Sequence, residues 1–139
     1  CTVGCAVLNR TIAGLLTDEP RPLQAALAGV SEGVPAALHE ALAGLPAGTD
    51  PAALRTSGYV VTTLQTALYD ALSADAFEAA VVTSVNRGGD TDTIGAVAGA
   101  VAGARFGAAA IPERWLAVLE GRAELEALAD ALLAQATAG

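Results

Sequence analysis

Three hard oxygen donors crowd into four consecutive residues at Asp90, Asp92 and Thr93, directly after two glycines and directly before an apolar run. Carboxylate and hydroxyl oxygens at this density suit Mg²⁺ or Mn²⁺, whereas softer ions prefer Cys or His. Gly88 and Gly89 let the backbone turn sharply and let a ligand approach closely. In such a turn Asp90 and Asp92 can aim at one point, and Thr93 can join through its hydroxyl or its carbonyl. The competing reading is a helix N-cap, because Asp and Thr are preferred caps and acidic groups suit the positive end of a helix dipole. One cap needs one side chain, yet Asp90, Thr91, Asp92 and Thr93 are all polar. Spacing alone leaves both readings standing.

The elements that must hold this turn are read from apolar periodicity. Beyond it the pattern predicts a helix to about Phe106, with Gly95, Gly99, Gly103 and Gly107 on one stripe. Each interior glycine costs a helix roughly 1 kcal/mol relative to Ala, so the stripe implies close approach of a neighbouring helix. Before the turn, Phe77, Ala80, Val81 and Val85 form the inward face of a helix that starts around Ser73-Ala74-Asp75 and ends at Gly88-Gly89. Val61, Leu64, Leu68 and Leu72 mark another, starting after Gly58. Upstream, the sequence predicts helices over about 2–16 (stripe Val3, Ala6, Val7, Ile12 and Leu15 or Leu16), 23–30 and 35–43, then Asp50-Pro51 as cap and first helical residue. Downstream, Pro112 begins a short helix carrying Trp115 and Leu119, Gly121 stops it, and a last helix covers about 124–135. No strand alternation or internal repeat emerges. Seven or eight helices are expected.

Composition agrees. Hydrophobic residues make up 53% of the 139, but aromatics only 4%. The apolar content is therefore mainly Ala, Leu and Val, which favours helices over sheets. The length fits one domain. A net charge of −8 argues against a nucleic-acid surface or an anionic membrane. The longest apolar stretch, Ile94 to Ala104, is too short to span a bilayer, and no basic leader precedes an apolar run. A cytoplasmic chain is the expectation, with Cys1 and Cys5 as small reduced thiols and Cys5 buried.

Three blocks are more specific. Ser57-Gly58-Tyr59-Val60-Val61-Thr62-Thr63-Leu64, Phe77-Glu78-Ala79-Ala80-Val81 and Val85-Asn86-Arg87-Gly88-Gly89-Asp90-Thr91-Asp92-Thr93-Ile94-Gly95-Ala96 resemble, in order and spacing, the C-terminal half of the ADP-ribosylglycohydrolase family. Ala110-Ile111-Pro112-Glu113-Arg114-Trp115-Leu116 resembles its closing motif, and the likeness runs over roughly Ser57 to Leu133. The resemblance implies an all-α, compact orthogonal helical bundle in which residues 1–139 are the C-terminal part of one domain, incomplete without its N-terminal half. It implies metal-dependent hydrolysis of a glycosidic bond to ADP-ribose or a related ribosylated compound. Two Mg²⁺ or Mn²⁺ ions would lie between two acidic clusters, with Asp90, Asp92 and Thr93 as ligands here and both Asp residues catalytic. Tyr59, Gly88 and Gly89 would face the substrate, although Tyr59 reads equally as a buried amphipathic aromatic. The family's Thr-Asp-Asp-Thr cluster is absent, so the other ligands would come from an N-terminal chain of the same precursor. Recruitment of the same fold as a non-catalytic scaffold is a further alternative.

Cys1 raises a separate question. The chain contains no Met, and Cys1-Thr2-Val3-Gly4-Cys5 resembles the continuation of a mid-chain family motif. A proteolytic nick, a shortened chain and self-cleavage before a nucleophilic Cys all fit. In the last case Cys1 attacks the preceding carbonyl, the thioester hydrolyses, and the new amine activates the thiol for a different, biosynthetic reaction. His39 reads as solvated, Trp115 as core, and Glu120, Glu124 and Glu126 as a solvated helix face.

Overall fold

The computed structural model describes residues 1–30 and 33–137. Eight α-helices fill the described residues and no strand is found among them. They are α1 (Thr2–Leu16), α2 (Pro22–Ala28), α3 (Ala36–Leu42), α4 (Val60–Ser73), α5 (Phe77–Asn86), α6 (Thr91–Phe106), α7 (Glu113–Leu116) and α8 (Arg122–Thr137). Single 3₁₀ turns lie at Pro51–Ala53 and Ala108–Ala110. Asp50 caps the first of these, its Oδ1 accepting from the Ala52 N–H at 3.0 Å, as the Asp-Pro pair predicts.

Helix α6 is the hub, packed against α1, α4 and α5. Ile94, Ala98, Val101 and Ala102 point into the core from one side and are fully buried. Leu23 of α2, Leu42 of α3 and Leu68 of α4 join them, each under 2% exposed. Burying each of these leucines is worth about 1.5–3 kcal/mol. The glycine stripe of α6 faces α5. A Cβ at Gly95 would stand 2.8 Å from Val85 Cγ1, whereas those at Gly99 and Gly103 would make ordinary contacts of 3.8 and 3.9 Å with Val81 and Phe77. Close approach is therefore needed at Gly95 only.

Arg105, near the end of α6, donates from Nη1 to the carbonyls of Ala71 and Ala74 at 2.8 and 2.7 Å. These groups close the C-terminal end of α4, where backbone carbonyls lack helical partners and a cation is favoured. Phe77 and Trp115 meet edge to face with centroids 6.1 Å apart, so Trp115 packs against the core as expected, though only partly buried.

Several burial expectations are corrected. Cys5 is exposed, as is Cys1, because the buried line of α1 runs through Gly4, Val7 and Thr11, and Cys5 stands one residue, about 100° of helix, off that line. Val85 is 40% exposed at the end of α5. Of the pair Leu15 or Leu16, Leu15 packs against the core while Leu16 is 68% exposed. Ser73 closes α4 instead of opening α5, which begins at Phe77. Leu119 lies beyond the four-residue α7 and is 46% exposed. Helix α8 leaves Leu125, Leu128 and Leu132 more than half exposed beside an apolar groove of about 540 Å³ against α7.

Candidate metal centre

The turn between α5 and α6 is built on two consecutive positive φ values, +79° at Gly88 and +73° at Gly89. Non-glycine residues pay about 1–2 kcal/mol for such a conformation. At Gly89 a second constraint applies. A Cβ there would fall 2.2 Å from the Thr56 carbonyl oxygen and 2.6 Å from Thr56 Oγ1. The turn is thus pressed against the loop before α4, and the Asp90 N–H donates to the same Thr56 carbonyl at 3.4 Å.

Asp90 occupies the N-cap position of α6, but its side chain makes no capping hydrogen bond. Its Oδ1 accepts instead from the Thr93 hydroxyl at 2.8 Å. The capping role that the spacing left open is therefore not what this carboxylate does. Asp90 is half-buried, while Asp92 and Thr93 are exposed. The Asp92 carboxyl is held below its ordinary range, first by a hydrogen bond shared with the Asp90 carboxyl and then by the N–H groups of Thr93 and of Asp92 itself. Both carboxyls and the hydroxyl of Thr93 consequently belong to one small cluster.

Tyr59 and Gly58 adjoin it. A Cβ at Gly58 would lie 3.3 Å from Asp90 Oδ2, and Tyr59, which opens α4, is 58% exposed. Exposure removes the reading of Tyr59 as a buried aromatic. Gly58 and Tyr59 also form one wall of a mainly apolar groove of about 410 Å³ that includes Cys1, Leu38 and Val61. The structure thus gathers Asp90, Asp92, Thr93, Gly88 and Gly89 at one turn, with Tyr59 beside it and Cys1 across the groove.

The sequence reading missed what holds this turn. Thr63, Thr66 and Asp70 lie on one face of α4 at intervals of three and four residues, all buried. The Thr63 hydroxyl donates to the Ser57 carbonyl at 3.0 Å, and the Thr66 hydroxyl to the Arg55 carbonyl at 2.8 Å. Asp70, its side chain 1% exposed, receives Arg87 Nη2 at 2.6 Å, Arg87 Nε at 2.8 Å and the Ser84 hydroxyl at 3.1 Å. Arg87 Nη1 donates to the Pro51 carbonyl at 3.2 Å. The bond to Asp70 raises the Arg87 pKa further above its ordinary value. A buried carboxylate is tolerable only when paired this completely. The available signal was a charge among the apolar positions of α4, one turn beyond a buried threonine.

The donor set suits a hard divalent cation, being all oxygen and preformed on a rigid turn. It is also small. Among the described residues no group of three or more His, Cys, Asp or Glu is placed to share an ion, so further ligands would have to be water or another segment.

The chain belongs to the ADP-ribosylglycohydrolase family, whose model matches residues 1–139. It is 43% identical over 89 residues to an ADP-ribosyl-[dinitrogen reductase] glycohydrolase of Rhodospirillum rubrum, covering 63% of this chain and 30% of that relative. An ADP-ribosylarginine hydrolase, Tri1, of Serratia proteamaculans is 37% identical over 79 residues, 57% of this chain and 22% of its own. The bovine ADP-ribosylhydrolase ARH3 is 48% identical over 52 residues, 37% and 14% of the two chains. The matches thus span under a third of the length of these relatives. No solved structure shows a significant match. No helix of the described residues is long and apolar enough to cross a membrane.

Proposed function

We propose that this chain supplies one half of a two-metal Mg²⁺ or Mn²⁺ site for hydrolysing a glycosidic bond to ADP-ribose or a related ribosylated compound, in association with an N-terminal half that carries the remaining ligands. The observation that carries this reading is the carboxylate pair of Asp90 and Asp92. Asp90 occupies a cap position without capping, its Oδ1 held instead by the Thr93 hydroxyl, and Asp92 is exposed in the same turn. A carboxylate pair gathered with a hydroxyl on one exposed turn, with Asp92 kept in its charged form, favours a hard divalent cation. The names of the relatives supply the reaction class.

In this reading Asp90, Asp92 and Thr93 hold the ions, and divalent metal when bound supplies Lewis-acid polarisation and an activated water. Thr93 orients Asp90 through its hydroxyl. Tyr59 and Gly58 shape the adjoining groove for the sugar or its leaving group. The glycines keep the backbone thin enough for substrate to approach.

The test is turnover of ADP-ribosylated substrate by the assembled two-half enzyme at saturating Mg²⁺, with Asp90→Ala and Asp92→Ala compared to the unsubstituted protein. Loss of at least about 10²-fold is expected for each, given what a misplaced reacting group costs. Unchanged turnover in either variant would sink the assignment. A retained scaffold without hydrolysis would show neither turnover nor thermal stabilisation by metal.

A further inference from the structure

We infer that the buried polar face of α4, with Arg87 as its clasp, is the positioning device that sets the geometry of the cation-binding turn. This rests on the reading of Asp90, Asp92 and Thr93 as cation ligands. The turn is gripped from two sides. On one side Arg87 immediately precedes Gly88, and its guanidinium is fixed by two bonds to Asp70 of 2.6 and 2.8 Å. On the other side lies the loop 51–57, which contacts Gly89 and Asp90 through Thr56. That loop is pinned by Thr63 and Thr66 and, through its Pro51 carbonyl, by the same Arg87 guanidinium.

One helix face therefore registers both walls of the turn against each other. Asp70 is the anchor because its oxygens accept from Arg87 and Ser84 while its side chain is 1% exposed. The arrangement needs the planar fork of arginine, since three directed bonds leave one side chain toward two elements. A lysine carries the same charge but presents a compact ammonium on a flexible stem. None of these residues touches the cation or substrate in this reading. They act through the placement of Asp90 and Asp92, and outer partners of this kind typically change metal affinity by about 10–100-fold.

Arg87→Lys separates this role from plain stability. Mn²⁺ titration of the intact protein, followed by electron paramagnetic resonance, should give an affinity weakened about tenfold or more. Metal-free nuclear Overhauser contacts between Gly89 and Thr56 should be lost while the signals of α1 are retained. An affinity within about twofold of the unsubstituted protein, or Gly89–Thr56 contacts that persist, would overturn the inference. Should the lysine variant not fold, Thr66→Val removes only the bond to the Arg55 carbonyl. The same two measurements then apply to it, and the same two results would overturn the inference. If the unsubstituted protein takes up no Mn²⁺, the cation reading itself fails, and the metal-free contacts alone decide the positioning role.

Discussion

Substituting alanine at Gly88 and at Gly89 separates backbone strain from site geometry, because the two neighbours share a conformation and differ in surroundings. Both have φ near +75°, at +79° and +73°, so each alanine pays about 1–2 kcal/mol for the left-handed region. Nothing lies within 4 Å of a Cβ at Gly88, and the cost there ends with that strain. At Gly89 the Cβ falls 2.2 Å from the Thr56 carbonyl oxygen, about 1 Å inside the roughly 3.3 Å at which carbon and oxygen touch. The carbonyl belongs to a loop held by Thr63 and Thr66, so the turn must move instead. The bond from the Asp90 N–H to Thr56 goes with it, adding about 0.5–1.5 kcal/mol to the strain and raising the total to about 1.5–3.5 kcal/mol. Urea unfolding followed by circular dichroism should therefore rank Gly89→Ala below Gly88→Ala by about 0.5–1.5 kcal/mol. Mn²⁺ affinity should fall about tenfold or more for Gly89→Ala and stay within a few-fold for Gly88→Ala. Equal stability and equal affinity in the two variants would refute the idea that the Thr56 loop defines the turn.

Other positions test the packing and the charges. Gly99→Ala should stabilise the protein by about 0.5–1 kcal/mol in thermal unfolding, since helix propensity improves and the new Cβ meets only Val81 at 3.8 Å. Gly95→Leu should cost about 1–3 kcal/mol by overpacking against Val85, and a gain in melting temperature would contradict the close approach of α5 and α6. Arg87→Ala leaves the Asp70 carboxylate buried without its partner, and denaturant midpoints should report a loss of about 3–5 kcal/mol. For Asp92 the folded pKa lies below the ordinary value, so its ionised form persists as pH falls and is lost only through that lowered value. Being fully exposed, it should shift the acid limb of Mn²⁺ binding rather than of unfolding. Asp92→Asn should weaken binding at neutral pH and remove that limb.

The helical architecture was legible because periodicity and composition agree. Helix α1 begins and ends where the apolar stripe does, and α6 opens within the polar stretch Asp90 to Thr93, with Asp90 as its N-cap. The turn itself was legible too, through its glycines and its surplus of oxygen. What holds the turn was not. Asp70 and Arg87 are 17 residues apart and sit on different elements, so their pairing exists only after α4 and α5 pack. Thr63 and Thr66 read as ordinary helix residues until the loop whose carbonyls they satisfy is placed. Val85 keeps its contact with α6 at Gly95, as its place in the stripe requires, yet it stays 40% exposed in the last turn of α5. Cys5 was assigned by residue type, and type yields to helix phase.

The capping of α4 by Arg105 has a consequence for how the molecule comes apart. The last turn of a helix usually frays at little cost, because its carbonyls have only water to lose. Here the Ala71 and Ala74 carbonyls are held by a side chain of α6, so that end cannot loosen unless α6 lets go. Helices α4 and α6 should consequently open as one cooperative unit, with amides near Ala74 exchanging at the rate of the α6 interior. The same coupling means that a cation drawing α6 tighter by its N-terminus would slow opening at the far end of α4.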